Sequence, residues 1–302
     1  MEHDLIVIGG SFAGLSAAVQ LGRAGRKVLV LDAGQPRNRF SSAAHGIFAL
    51  DGTAPSQILA TAQKQTLAYP AITHETARVA SVQSANHGFF VADEAGHSFQ
   101  SRRVLIATGV ADSFPDIPGM RERWGDTVLH CPYCHGYEYM GKETGVFALG
   151  PIAFHQALLL ADWGPVTLFT NAVLELDDAQ LSTLASRHVK VENAPLIDLY
   201  GDGTKLDAVG LADGRKIPLG VLYIATQVAL RNDWVSALGC NVDQGPLGPM
   251  IATDERQATS VAGVYAAGDC SRQPHNATFA CADGVTAGMA IHMSLIEEEL
   301  KS

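Results

Sequence analysis

Two cysteines separated by two residues are the most reactive feature of the sequence. Cys131 and Cys134 can close a small disulfide, and one thiol of a C-x-x-C pair often has a lowered pKa. His135 follows the second cysteine directly and Glu138 lies three residues beyond it, so both side chains can move protons at neutral pH. The segment therefore predicts a redox-active cysteine pair with its own acid–base groups.

The same residue types are also zinc ligands, because the segment reads His-Cys-x-x-Cys-His. Structural zinc sites usually combine two separated ligand pairs, whereas Cys240, Cys270 and Cys281 are isolated in the sequence. We therefore favour the redox interpretation and predict no metal site. Five cysteines, an odd number in a long chain, also do not form a secreted disulfide framework, which favours a reducing, cytoplasmic location.

A glycine-rich loop near the N-terminus predicts a dinucleotide site. It lies in a β-α-β pattern: an apolar run over residues 5–8, a helix-like stretch over 15–24 and a second apolar run that ends at Asp32. Gly9 and Gly14 occupy the first and third positions of the dinucleotide fingerprint, and Ser11 replaces the second glycine. An acid at Asp32 favours FAD or NAD over NADP. The residues expected to bind the cofactor here are Gly9, Gly10, Ser11, Phe12, Ala13, Gly14, Asp32 and Ala33.

The remaining segments predict two α/β domains. Residues 77–104 suit an antiparallel meander, and a second β-α-β pattern spans residues 144–169. A Pro-rich connector near residue 112 and a Gly-Pro segment at 240–250 indicate that one domain interrupts the other. We therefore predict an α/β fold with two Rossmann-like domains. One domain comprises 1–112 and 245–302, and the inserted domain, 113–244, carries the cysteine pair.

The first glycine loop, the segment Leu105–Gly109, the central C-x-x-C and Ala267-Gly268-Asp269 before a terminal helix together resemble one family. It is the low-molecular-weight thioredoxin reductase family of FAD-dependent disulfide oxidoreductases. The resemblance implies that residues 1–112 and 245–302 form the FAD-binding domain and that residues 113–244 form an NAD(P)-binding-like domain. The resemblance covers the full chain and implies that Asp269 binds the flavin side chain or phosphate and that His275, beside the flavin ring, shares in proton transfer. The other residues expected to bind FAD are Arg37, Asn38, His45, Val79, Ala107, Thr108, Gly109, Gly268, Asn276 and Ala277.

Three departures from thioredoxin reductases point to a particular branch of the family. The second glycine loop reads Gly150-Pro151-Ile152 and lacks the later glycines, and no Lys or Arg occurs between Lys142 and Arg187 to bind an NADPH phosphate. His135 stands where thioredoxin reductases carry an aspartic acid. The pattern resembles the dithiol oxidases, which form intramolecular disulfides in small molecules such as gliotoxin, holomycin and cyclic depsipeptides.

This resemblance implies a mechanism. A substrate dithiol loses a proton, with His135 as candidate base, and its thiolate attacks Cys131. The substrate then leaves as a cyclic disulfide. Cys134 reduces FAD, and molecular oxygen reoxidises the flavin. The alternative is a thioredoxin reductase-like enzyme that reduces a protein disulfide with electrons from NAD(P)H or ferredoxin. The cysteine pair argues against a flavin-binding scaffold without chemistry. The resemblance further implies a homodimer.

Charge and hydropathy restrict the partners. There are 21 basic and 31 acidic residues, and the net charge of −10 argues against nucleic acid or an anionic membrane as a main partner. The N-terminal apolar run is too short for a signal sequence or a membrane span, so we expect neither. The acidic residues Glu297–Glu299 at the end of the terminal helix predict a solvated face.

Overall fold

The computed structural model describes residues 2–301, which divide into two compact units. The first unit comprises the chain up to Arg39, Pro55–Ala111 and the chain from Val228 onward. The second, called here the inserted unit, comprises Phe40–Ala54 and Asp112–Gln227. The border between Ala111 and Asp112 lies within one residue of the border predicted between residues 112 and 113.

Two parts of the predicted division differ from the structure. The return to the first unit comes at Val228 rather than at residue 245, because the Gly-Pro segment forms a hairpin inside the first unit and not a connection between units. Residues 40–54 belong to the inserted unit, although they follow the first β-α-β pattern in sequence. One reason is Phe40, against which Gly125 packs so closely that a Cβ on the glycine would clash.

The described residues form nineteen strands, seven α-helices and one short 3-10 helix. In chain order they are β1 His3–Ile8, α1 Phe12–Arg23, β2 Val28–Asp32, the 3-10 helix Arg37–Phe40, α2 Pro55–Thr66, β3 Ile72–Thr76, β4 Val79–Ala85, β5 Gly88–Asp93, β6 Ser98–Ile106, β7 Val110–Ser113, β8 Val128–Leu129, α3 Pro132–His135, β9 Thr144–Phe147, α4 Ile152–Leu160, β10 Val166–Phe169, α5 Asp178–Ser186, β11 Lys190–Glu192, β12 Leu196–Tyr200, β13 Ala208–Leu211, β14 Lys216–Pro218, β15 Val221–Ile224, β16 Gln227–Leu230, α6 Trp234–Ala237, β17 Val242–Gly245, β18 Gly248–Ile251, β19 Val264–Ala266 and α7 Ala277–Glu299.

The first unit is built on a seven-stranded sheet. Its parallel part has the order β3-β2-β1-β6-β19, and β4, β5 and β6 form an antiparallel meander at one side. Strand β1 is apolar on both faces, with Leu5, Ile6 and Val7 fully buried, because core clusters cover both sides of the sheet. The predicted Rossmann-like pattern and the meander are confirmed.

Helix α7 lies against α1 along a line of small residues. Gly284 and Gly288 let the two backbones approach, since a Cβ on Gly284 would clash with the carbonyl of Ala13. By length and composition α7 could cross a membrane, the one described helix of which this is true. Its buried positions, Ile291 and Leu295 among them, belong instead to the core cluster of the first unit.

The inserted unit contains a five-stranded parallel sheet in the order β11-β10-β9-β15-β8. Strands β9 and β10 with α4 form the second β-α-β element, as the sequence predicted. A three-stranded antiparallel sheet, β12-β13-β14, adds to this unit. Both units therefore have the α/β organisation that was predicted, and the inserted unit holds the cysteine pair just after β8.

Candidate functional site

The glycine loop of the first unit has the backbone geometry of a dinucleotide fingerprint. Gly9 has a φ of 109°, a conformation that favours glycine, and a Cβ there would clash with the carbonyl of Ala107. A Cβ on Gly14 would clash with the carbonyl of Gly9. These two positions therefore give the tight turn and the close helix–strand packing that the fingerprint requires.

The N-terminus of α1 offers an anion site beside this loop. Ser11 is the N-cap residue, but its side chain makes no capping hydrogen bond with the first turn, which begins at Phe12. The N–H groups and the dipole at this end of the helix can therefore receive a diphosphate. Ala13 is buried beneath the turn, so it contributes backbone rather than side chain to such a site.

Asp32 lies at the end of β2, next to the glycine loop. Its Oδ1 accepts the Gly10 N–H at 3.0 Å and its Oδ2 accepts the Gly34 N–H at 3.1 Å. These bonds fix the carboxylate, and each oxygen retains acceptor capacity for a ribose hydroxyl. Ala33 follows it on the same turn. The residues at this end of the sheet thus fit the adenosine and diphosphate parts of FAD.

A second group of predicted residues meets elsewhere in the first unit. Arg37, at the start of the 3-10 helix that also contains Asn38, forms a 3.0 Å ion pair with Asp269. The same guanidinium lies 2.7 Å from Nδ1 of His275. Because a guanidinium only donates hydrogen bonds, Nδ1 must accept, and the ring proton of neutral His275 resides on Nε2. The structure thus brings together side chains that lie 232 and 238 positions apart in the sequence.

The remaining predicted cofactor residues lie at strand and helix ends of the first unit. Ala107, Thr108 and Gly109 follow β6, and the buried Val79 begins β4. Gly268 has a φ of 80° and follows β19.

Asn276 and Ala277 lie where α7 begins. Asn276 is the N-cap: its Oδ1 accepts the N–H of Thr278 at 2.8 Å and that of Phe279 at 3.4 Å. The first role of Asn276 is therefore to start the helix that Ala277 opens. Cys270, next to Asp269, is fully buried, and burial raises the pKa of its thiol to about 12. The Cys270 thiol therefore packs as a small buried apolar group.

The cysteine pair lies in the inserted unit and is joined by a disulfide. The Cα atoms of Cys131 and Cys134 are 5.3 Å apart, and both residues are partly buried. Cys131 is the N-cap of α3, with Pro132 in the first turn, and its Sγ accepts the Cys134 N–H at 3.2 Å. An N–H aimed at this sulfur stabilises a thiolate there once the disulfide opens.

Two side chains that the sequence did not single out as functional support this segment. Gln156 on α4 is buried and donates from Nε2 to the carbonyl of His130 at 2.8 Å, which fixes the backbone before Cys131. Trp163 packs beside Gly136 and makes an edge contact with the ring of Tyr133, with ring centroids 6.0 Å apart. A helix glutamine facing inward has no sequence signature that separates it from a surface residue.

His45 lies beside His135 and Glu138 in the inserted unit. The sequence placed His45 among the cofactor residues of the first domain. In the structure its Nε2 is 3.4 Å from Oε1 of Glu138, and its ring makes an edge contact with that of His135, with centroids 6.1 Å apart. Burial lowers the pKa of His135, which Glu138 raises and His45 lowers further. His135 is therefore held neutral at neutral pH, ready to accept a proton.

The sheet of the inserted unit carries a side chain at the edge where a nucleotide would bind. Asn171, two residues after the end of β10, donates from Nδ2 to the carbonyls of Ala148 and Phe169 at 3.3 and 3.2 Å. Its Oδ1 accepts the Leu196 N–H at 3.1 Å. Ligands of such sheets bind outside the carboxyl ends of the strands. Here the carbonyls at the strand ends already accept hydrogen bonds from the Asn171 side chain.

The loop before α4 also departs from the fingerprint. Pro151 is the N-cap of α4 and cannot donate a backbone hydrogen bond to a diphosphate.

A cavity of about 610 Å³ in this unit lies at the opposite, amino end of the strands. It is lined by Asp126, Thr127, Tyr139, Lys142, Glu143, Lys205, Leu206, Asp207, Pro218, Leu219 and Gly220. Among the described residues no group of three His, Cys, Asp or Glu side chains could hold a metal ion.

Comparisons with known proteins extend over both units. The family described as pyridine nucleotide-disulphide oxidoreductase matches residues 3–284. Thioredoxin reductase tcpT from Claviceps purpurea (strain 20.1) is 33% identical over 306 residues, which cover 98% of this chain and 95% of the relative. The crystal structure of an oxidoreductase from Agrobacterium tumefaciens is 44% identical, with a TM-score of 0.94 and coverage of 98% and 99%. That of HlmI is 36% identical, with a TM-score of 0.92 and coverage of 99% and 94%.

Proposed function

The chain belongs to the pyridine nucleotide-disulphide oxidoreductase family, and from this premise we propose that it oxidises a small-molecule dithiol to an intramolecular disulfide. It is an FAD-dependent disulfide oxidoreductase of the thioredoxin reductase-like type, so the family resemblance found in the sequence is confirmed. The direction of electron flow, from a substrate dithiol through Cys131 and Cys134 to oxygen, is the proposal.

The observation that carries this proposal is the carboxyl edge of the inserted sheet. Asn171 bonds the strand ends, Pro151 caps α4, and no Lys or Arg occurs between Lys142 and Arg187 in sequence. A reductase that uses NADPH needs cations for the phosphate and free N–H groups for the diphosphate. Since these residues supply neither, we infer that electrons enter at the cysteine pair and not from a nicotinamide.

The side chains around the disulfide can carry out the exchange. Neutral His135 takes the proton of a substrate thiol, and the thiolate then attacks Cys131. The second substrate thiolate closes the cyclic disulfide, and the Cys134 N–H stabilises the Cys131 thiolate that is released. When FAD is bound, it supplies two-electron acceptance from the cysteine pair and transfer to oxygen.

Exposed rings next to the disulfide suit an apolar small molecule. Tyr133 is 74% exposed and Tyr137 75% exposed, although both lie within three residues of a reacting cysteine. Aromatic side chains of this kind offer a contact surface for an apolar or ring-containing dithiol.

The test is an anaerobic titration of the flavin absorbance with separate additions of dithiothreitol, NADPH and NADH. We expect the dithiol to bleach the flavin and both nicotinamides to leave it oxidised, after which oxygen restores the colour and releases peroxide. Cys134→Ser should abolish bleaching by the dithiol, whereas Cys281→Ser, outside the pair, should leave it unchanged. Rapid bleaching by NADPH would contradict the proposal.

The names of the relatives support a second candidate, the reduction of a protein disulfide. A protein electron donor such as ferredoxin needs no nucleotide site, so the altered inserted sheet does not oppose this activity. Bleaching of the anaerobic flavin by reduced ferredoxin, with no effect of dithiothreitol, would favour this reductase.

We also propose that the chain forms a homodimer through the outer face of α7. Met289 and Met293, one helical turn apart, are 63% and 51% exposed, and Leu300 just beyond the helix is 81% exposed. Large apolar side chains aligned on one helix face favour burial against a partner. The partner proposed is a second copy of this chain.

A further inference from the structure

Oxidation of a dithiol releases two protons, and the disulfide site must accept both. In the first exchange, one substrate thiol gives its proton to His135 and its sulfur bonds to Cys131 Sγ. The Cys131–Cys134 bond breaks and leaves a Cys134 thiolate. In the second exchange the other substrate thiol must also lose a proton. Its sulfur bonds to the first substrate sulfur, and the bond to Cys131 breaks to leave a thiolate.

The electrons balance within these two steps, since two pass from the substrate sulfurs to the cysteine pair. The protons do not balance at His135 alone. A neutral imidazole takes up one proton, so His135 can serve the second thiol only after it has passed the first proton on. Carboxylates are much weaker bases than imidazole, which argues against Glu138 in this role. A second imidazole in the same site would accept the second proton without that delay.

We propose that His45 is this second proton acceptor and thus a catalytic residue of the disulfide site, an assignment that rests on the dithiol oxidation proposed above. The His45 ring touches the edge of the His135 ring. Its Nδ1 lies 3.7 Å from Oδ1 of Asp51 and its Nε2 lies 3.4 Å from Oε1 of Glu138. A positive charge on His45 would therefore lie between two carboxylates.

Charged groups face both histidines. His135 faces Glu138, Asp126 and His45, and His45 faces Asp51, Glu138 and His135. Glu138 faces both rings, so its carboxylate is placed to stabilise a positive charge on either ring. The His45 side chain is 22% exposed, so the ring can also pass its proton to water.

The loop that carries His45 is fixed without the help of its ring. Ala44 and Thr53 form a β-bridge across the loop, and the Gly46 N–H donates to Asp51 at 2.7 Å. Phe40 packs against Gly125 at the start of the loop. Because these contacts hold the loop on the inserted unit, the His45 imidazole is not required to keep the loop in place.

The experiment compares a monothiol, which needs one proton acceptor, with a dithiol, which needs two. The oxidised holoenzyme is mixed anaerobically with 2-mercaptoethanol or dithiothreitol at about pH 6.5, below the pKa of both thiols. Samples are quenched in acid and alkylated, and the mixed disulfide at Cys131 is followed by mass. The variants are His45→Asn, His45→Gln and His135→Asn, and the exposed His155→Asn is the matched control.

With 2-mercaptoethanol, His45→Asn should form the mixed disulfide within about twofold of the wild-type rate, because this step uses His135. With dithiothreitol, the mixed disulfide of His45→Asn should decay at least about tenfold more slowly than in the wild type, and the gap should close near pH 9.5, where the thiol ionises unaided. His135→Asn should slow both probes, and His155→Asn neither. Glu138→Gln should slow the decay with dithiothreitol by about threefold to tenfold.

Equal slowing of both probes in the His45 variants, or slowing that is unchanged at high pH, would mean a structural role and overturn the assignment. Decay at the wild-type rate would overturn it too. Failure of the proposed function looks different: the wild-type disulfide itself would not react with dithiothreitol. Retained flavin absorbance and circular dichroism identify variants that are folded, and His45→Gln provides the second variant if His45→Asn is not.

Discussion

At the residue scale, identical residue types have different roles in the two units. Gly14 is packed so tightly that a Cβ would clash with a backbone carbonyl, whereas a Cβ on Gly150, in the corresponding loop of the inserted unit, would meet nothing within 4 Å. The sequence identified both loops, and it predicted the first as the better fingerprint. The steric reason for the ranking lies in the packing of α1 on β1, which spacing alone does not describe.

Substitution of these two glycines separates the two loops by experiment. Gly14→Ala should move α1 away from the glycine loop, so that the purified protein carries much less FAD than the wild type, on the order of tenfold less for a loss of about 1.4 kcal/mol in binding. Gly150→Ala should retain the wild-type flavin content. The measurement is the flavin absorbance per chain after gel filtration. Equal flavin content in both variants would contradict the assignment of the first loop.

At the element scale, the end of α7 is fixed by charge. The sequence predicted a solvated face for Glu297–Glu299, and all three residues are exposed. Glu298 and Glu299 also form ion pairs, which the sequence did not predict. Glu299 pairs with Arg26 at 2.6 Å and with Arg102 at 2.7 Å, and Glu298 pairs with Arg102 and Arg103. The sequence does not show these pairs because the arginines come from β6 and from the turn before β2, far away in sequence.

These ion pairs make the stability of the first unit depend measurably on pH. Hydrogen bonds from Arg26 and Arg102 lower the pKa of Glu299 from 4.5 to about 2. A carboxyl with a lowered pKa in the folded state contributes stability above its unfolded pKa, and this contribution is lost as the pH falls through the interval between the two values. The docking of α7 should therefore weaken between about pH 4.5 and pH 2.

Arg102→Gln should lower the melting temperature at neutral pH by roughly 2–4 °C, because it removes a partner from the carboxylates of Asp4, Glu298 and Glu299. The difference from the wild type should shrink as the pH falls below about 4.5, where the carboxyls become protonated. Arg187→Gln, which breaks an exposed pair with Asp162, is the control and should change the melting temperature by less than about 1 °C. Calorimetry across this pH range provides the measurement, and a constant difference would contradict the linkage.

At the scale of the whole molecule, one fold type occurs twice with different uses. The first unit has a loop, a helix N-terminus and an acid that fit a dinucleotide, whereas the inserted unit carries Asn171 at the equivalent sheet edge and the disulfide after β8. Fold alone therefore does not assign function to either unit. The site residues do.

The proposed dimer is tested at this scale. Met289→Lys combined with Met293→Lys places two charges on the outer face of α7, and the particle mass should fall from twice the chain mass of 31.9 kDa to a single chain. Met140→Lys, a similarly exposed methionine in the inserted unit, is the control and should leave the mass unchanged. Light scattering during gel filtration measures all three proteins. A wild-type monomer would refute the dimer.

The sequence by itself determined the two β-α-β elements, the dinucleotide fingerprint and the reactive cysteine pair. These features depend on apolar periodicity, glycine spacing and neighbouring residues, which are all local. Only the tertiary structure decided that His45 lies beside His135 and Glu138, that Arg37 holds both Asp269 and His275, and that Asn171 bonds its sheet edge. Such contacts join segments up to 238 residues apart, and they arise when strands and loops pack, a step that no local pattern encodes.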